Sequence, residues 1–95
     1  MIKGVSEKEE KIIRDILKKY PYEFFCYGSR VKGDYTAGSD LDILVKADDK
    51  IPYSVLENLS MEFNESIIPY VVNFSDYNRI SQDFYNLIKG SLVKI

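Results

Sequence analysis

The chain has 95 residues, a formal net charge of −2 from 13 basic and 15 acidic side chains, and no histidine. That length makes one domain with one modest core and leaves no room for a second, substrate-binding domain. The near-balanced charge gives no bulk electrostatic case for gripping DNA, and the lack of His excludes Ser-His-Asp and Cys-His catalysis and any His-ligated metal.

The single cysteine, Cys26, cannot form an intramolecular disulfide and reads as a small buried core residue. Met1-Ile2-Lys3-Gly4 runs straight into charged residues without a signal-peptide pattern. No apolar run approaches the roughly 18 residues of a membrane span. A cytoplasmic protein with no membrane partner is expected.

In chain order, residues 6–20 read as a helix. Ser6-Glu7-Lys8-Glu9 is a capping box, Ile12, Ile13, Ile16, Leu17 and Tyr20 recur at helical spacing, and Pro21 stops the run. Residues 23–27 read as a strand apolar on both faces, which predicts a covered, central place in a sheet. Residues 33–39 are a loop of turn formers, and 40–46 a second strand. Residues 54–65 read as a helix with Ser54 and Glu57 as its capping box. Residues 67–74 read as a third strand carrying Pro69 near its start. Residues 79–89 read as a last helix capped by Ser81 and stopped by Gly90. The tail from Ser91 to Ile95 is expected to add a short strand or a docking segment. The fold class is α/β in the α+β sense: a small mixed sheet packed with helices.

The chemistry concentrates between residues 28 and 45. The first strand ends at Gly28-Ser29, ten residues follow, and Asp40-Leu41-Asp42 opens the next strand. In an extended strand, residues two apart share a face, roughly 6–7 Å apart at Cα. Paired carboxylates raise each other's pKa, and a divalent cation removes the conflict. Hard oxygen donors suit Mg²⁺, which takes the rest of its shell from water and substrate phosphates. Gly28 allows close backbone approach, Ser29 adds a hydroxyl, and a short helix from Arg30 to Lys32 presents N–H groups to an anion. Arg30 and Lys32 are either phosphate contacts or solvated charges. The eight Tyr exceed what a small core needs. Tyr35, Tyr53, Tyr77 and Tyr85 are candidates for stacking on a base, but each taken singly reads as half-buried packing.

Gly28-Ser29, ten residues and Asp40-Leu41-Asp42 resemble at every fixed position the signature of the minimal nucleotidyltransferases (MNT) of the DNA polymerase β superfamily. The order of elements is similar over most of the chain. The resemblance implies the nucleotidyltransferase fold, ATP as substrate and Mg²⁺ as cofactor. It implies Asp40 and Asp42 as metal-binding catalytic residues, and Gly28, Ser29 and Arg30 as nucleotide-binding residues. It also implies a small helical HEPN-type protein as partner, with the chain acting as antitoxin by transferring AMP to an acceptor hydroxyl; the sequence leaves a homo- or hetero-oligomer open.

Family members carry a third acid on the next core strand, and by position that place falls on Asn73. An amide oxygen ligates weakly and cannot act as a base. Asp76, the nearest acid, has the wrong parity for the same face and reads as a turn or helix-opening residue. Two readings stay open: an enzyme working with two carboxylates, or a weakened nucleotide-binding module that neutralises its partner by contact.

Overall fold

The computed structural model describes residues 2, 4–36 and 38–95. Met1 and Lys3, and Ala37 within the expected loop, lie outside the described residues.

The first helix, α1 (Glu7–Leu17), opens on the expected capping box. Glu9 N–H donates to Ser6 Oγ at 3.1 Å, and Ser6 N–H donates back to Glu9 Oε1 at 3.3 Å. The helix closes earlier than its apolar spacing predicts. Lys19 and Tyr20 N–H reach back only three residues, to the carbonyls of Ile16 and Leu17. Pro21 disfavours helical backbone at the residue before it, so the last turn tightens and ends. Tyr20 still does structural work: its hydroxyl, with Lys19, bonds Glu62 on the next long helix.

Strand β1 (Glu23–Tyr27) leads through Gly28 into a one-turn helix, α2 (Ser29–Lys32), which Gly33 ends in the left-handed conformation. Strand β2 (Leu41–Lys46) follows. Helix α3 (Tyr53–Asn64) starts a residue earlier than expected, with Pro52 at its N-cap and no side-chain cap. Ser54 therefore lies inside the first turn, and the expected Ser54–Glu57 capping box does not form. Proline is pre-organised for a helix start, so it takes the boundary.

Strand β3 (Val72–Asp76) also departs from expectation, which placed it at residues 67–74. Only Ile68 of the apolar stretch before it is buried, at 8 % exposure, whereas Ile67 and Val71 are 64 % and 56 % exposed. The strand forms only where it can pair with β2, and that register begins at Leu41 with Val72. Pro69, which lacks a ladder donor, falls in the connector. Helix α4 (Gln82–Ile88) is capped by Ser81 Oγ, which accepts from Phe84 N–H at 3.1 Å. Gly90 does not stop it directly; a 3-10 turn over Lys89–Ser91 carries the chain into β4 (Val93–Lys94).

The sheet order is β3-β2-β1-β4, with β1 antiparallel to β2 and β4, and β2 parallel to β3. Strand β1 is central, as its two apolar faces predict. One face carries Phe24, Cys26, Leu41, Ile43, Val45 and Val72 against Ile13 and Leu17 of α1 and Leu59 and Phe63 of α3. Each large side chain buried there contributes roughly 1.5–3 kcal/mol. On the other face α4 covers Tyr27 and Leu44 with Ile88 and Phe84. Residues 40 and 42 share that face with Leu44 by strand alternation, at the end where Asp40 and Asn73 are exposed. The sheet's open end is where the motif residues gather.

Candidate active site

Strand pairing alone sets a motif residue, Asp42, in one row with residues of both neighbouring strands. Tyr27 is registered with Asp42 across β1–β2, and Asp42 with Asn73 across β2–β3. Directly paired residues share a face, so Asp42 and Asn73 stand side by side. Asp40 precedes β2 and projects to the same place. The Asn73 amide nitrogen donates to Asp40 Oδ2 at 3.0 Å and to Asp42 Oδ1 at 3.2 Å. Two carboxylates thus converge on a single point, with an amide between them.

Electrostatics match that crowding. Asp42 is half-buried, and burial raises its pKa; the hydrogen bond from Asn73 opposes the rise and the Asp40 charge adds to it. Among the described residues no three acids, cysteines or histidines cluster. The donor set here is two carboxylates with an amide. Hard oxygens converging within one hydrogen-bond radius fit a small divalent cation such as Mg²⁺, and the amide oxygen becomes a third neutral donor if the group rotates.

The glycine–serine turn closes the site from β1. Gly28 has φ +88°, and a Cβ built on it would stand 2.7 Å from Asp42 Oδ2. Only glycine lets the backbone pass this close to the carboxylate. Ser29 opens α2 directly after it, half-buried, with the Gly28 carbonyl taking the N–H groups of Val31 and Lys32 at 3.0 Å each. Gly28 therefore sits beside Asp42, and Ser29 is the next residue along the chain. Lys32, the last residue of α2, is exposed.

Arg30 departs from expectation. Its side chain is 1 % exposed rather than presented to a phosphate. The guanidinium lies 4.0 Å over the Tyr70 ring, and its Nε donates to the Ser39 carbonyl at 3.0 Å. A group so enclosed is held by the fold, and nucleotide binding is not the role its surroundings suit. The signal that could have found this is aromatic: Tyr35, inside the motif's spacer, and Tyr70, just ahead of β3, supply ring faces for a buried cation.

Asp76 is no substitute for the third acid. It is 4 % exposed and ends β3, three residues from Asn73 and so on the opposite face. Its carboxylate accepts from Ile51 N–H at 2.8 Å, Asn78 N–H at 2.9 Å and Arg79 Nε at 3.1 Å. Arg79 in turn donates to the Ile51 carbonyl at 3.0 Å and stacks 4.0 Å over Tyr53. Asp76 is a turn residue pinning the start of α3 to the end of β3.

Two side chains at the site escape a reading of motifs. The Tyr27 hydroxyl and Ser75 Oγ lie 3.0 Å apart, bridging β1 and β3 over β2. Burial raises the Tyr27 pKa; the Ser75 hydrogen bond opposes this and the Asp42 charge adds to it. Parity carried the signal, since Ser75 shares Asn73's face and Tyr27 immediately precedes Gly28. Cys26, on the covered face, has its thiol pushed up to about 12 by burial and is chemically quiet, as expected. None of the described helices is long and apolar enough to cross a membrane.

Comparison with known proteins agrees with this geometry. A family model described as a nucleotidyltransferase domain matches residues 9–94. The chain is 30 % identical over 93 residues to the probable protein adenylyltransferase MntA of Haemophilus influenzae, covering 96 % of this chain and 82 % of that protein. The match runs from the first turn of α1 to the last strand and takes in every element that shapes the site. The chain belongs to the nucleotidyltransferase-domain family, among the minimal nucleotidyltransferases of the polymerase β superfamily, and is a nucleotidyltransferase.

Proposed function

We propose that this nucleotidyltransferase moves AMP from Mg-ATP to a hydroxyl on a partner protein, and that this partner is a helical HEPN-type toxin neutralised in the cytoplasm. Support for a protein acceptor comes from the printed name of its relative, a probable protein adenylyltransferase. The observation that carries the reading is the convergence of Asp40 and Asp42 on one point beside the Gly28 turn.

Asp40 and Asp42 would hold the cation, with Gly28 and Ser29 against the phosphates. Bound there, Mg²⁺ would neutralise charge on the triphosphate. The chain's own contribution is placement. The acceptor oxygen forms a bond to the α-phosphorus, the bond from that phosphorus to the β-bridging oxygen breaks, and pyrophosphate leaves. The hydroxyl proton goes to water, because Asn73 offers no base. Holding the reactants in line is then the main source of rate.

A second reading has its own observation. The Asn73 amide occupies the gap between the carboxylates and satisfies both. That favours a module that binds its partner and transfers slowly or not at all.

Incubation with α-labelled ATP, Mg²⁺ and the co-expressed partner tests both. Label on the partner, lost in Asp42→Ala, supports transfer. Tight complex formation without label, equal in wild type and Asp42→Ala, supports the binding module and ends the transfer reading.

A further inference from the structure

Arg30 heads the fully buried side chains in size, yet it comes from a one-turn helix at the rim of the site. A buried guanidinium persists only where its donors are met. Besides the Nε bond to the Ser39 carbonyl, its Nη1 donates to the Gly4 carbonyl at 3.3 Å. Its Cζ lies 4.0 Å from the Tyr70 ring centre and 5.5 Å from that of Tyr35. These partners are neighbours of the site in sequence: Arg30 follows Ser29, Ser39 precedes Asp40, and Tyr70 leads into the strand that carries Asn73.

The geometry points to Arg30 as a positioning residue that locks the Gly28–Ser29 turn, the Asp40 carboxylate and the β3 strand start into one arrangement. The inference rests on reading the site as a metal–nucleotide centre. Asp40 stands ahead of β2, where the ladder begins only with Leu41, whose N–H bonds the Val71 carbonyl at 2.9 Å. Arg30 Nε holds the carbonyl of the peptide between Ser39 and Asp40, while Ser39 is tied back to Thr36 by its N–H, which donates to the Thr36 carbonyl at 3.0 Å. Freed to rotate, that peptide would swing Asp40 away from Asp42. The Tyr70 hydroxyl donates to Glu9 Oε1 at 3.3 Å, so the capping box of α1 anchors the far side of the clamp. The Gly4 turn, at φ +74°, is moulded to it, since a Cβ there would meet Arg30 Nη1 at 2.7 Å.

A planar fork can bond two carbonyls and stack on a ring at once; an ammonium is a point charge with no face. Arg30→Lys therefore keeps the charge and loses the clamp, and Arg30→Met removes both. The test uses the full chain, with Mn²⁺ alone as first probe, ATP added second, and amide hydrogen exchange as a metal-independent readout. Both variants should bind Mn²⁺ alone about tenfold more weakly, the usual cost of losing a support behind a metal ligand. Exchange at residues 38–41 should rise about tenfold while that of β1 holds. Should Arg30→Met lose its fold, Arg30→Lys carries the test. A direct phosphate contact predicts the reverse: Mn²⁺ affinity unchanged, ATP binding restored by lysine. That result, or unchanged exchange at 38–41 in Arg30→Lys, overturns the clamp. Wild-type chain taking up no Mn²⁺ with ATP would instead overturn the metal–nucleotide reading, and exchange alone would then decide on Arg30.

Discussion

Asn73 and Asp42 are direct partners across the parallel β2–β3 pair, and the amide of one donates to the carboxylate of the other at 3.2 Å. The same amide reaches Asp40, so it relieves a repulsion the protein otherwise carries. Asn73→Asp would replace that relief with a third negative charge. We expect the metal-free protein to lose about 1 kcal/mol, seen as a lower urea midpoint. Mn²⁺ affinity should rise about tenfold by titration, because the added carboxylate is a better donor than the amide.

The raised pKa of Asp42 gives the metal-free protein a definite pH dependence. The folded state keeps this proton to a higher pH than the unfolded chain, whose ordinary value is 3.8. Folded molecules then bind more protons in the window above that value, so stability falls as pH rises through it. Asp42→Asn should remove this component and stabilise the metal-free protein at neutral pH by roughly 0.5 kcal/mol, the modest worth of a partly exposed charge interaction. Denaturant unfolding at several pH values checks the sign. Mn²⁺ binding by the wild type should weaken as pH falls through the raised value, since the cation competes with the proton.

Gly28→Ala places a methyl group 2.7 Å from Asp42 Oδ2 on a backbone at φ +88°. Both the conformation and the contact oppose the change. A loss of about 1–3 kcal/mol is expected from backbone strain. The displaced carboxylate should cost Mn²⁺ binding as well, measured on the fraction that remains folded.

Asp76→Ala should separate stability from chemistry. It strands the Ile51 N–H and removes the carboxylate partner of Arg79, for a loss of about 3 kcal/mol. Mn²⁺ affinity of the folded protein should be unchanged, because Asp76 lies on the opposite face from Asp42. A matching loss of metal affinity would make Asp76 part of the site.

What the sequence made legible was local. The Ser6–Glu9 capping box, the β1–Gly28–Ser29 turn and the alternation of Asp40 with Asp42 are each decided by a few neighbouring residues. Pairing partners were harder. The apolar stretch from Ile67 to Val71 has strand composition, but the strand begins where β2 offers a partner. Arg30 shows the same limit at the site. A charged residue beside a glycine–serine turn reads as a ligand, and its burial depends on Tyr70, Ser39 and Gly4 arriving from three other parts of the chain.

Strands β2 and β3 run parallel, so the chain must complete a helical crossover before Asn73 can meet the two acids. Synthesis therefore delivers both carboxylates long before it delivers the strand beside them. A ribosome-bound fragment ending at Ser66 holds the whole signature motif but no row for it to stand in. Competence should switch on late and at once, when the second half of the sheet docks, which spares the cell a half-made enzyme.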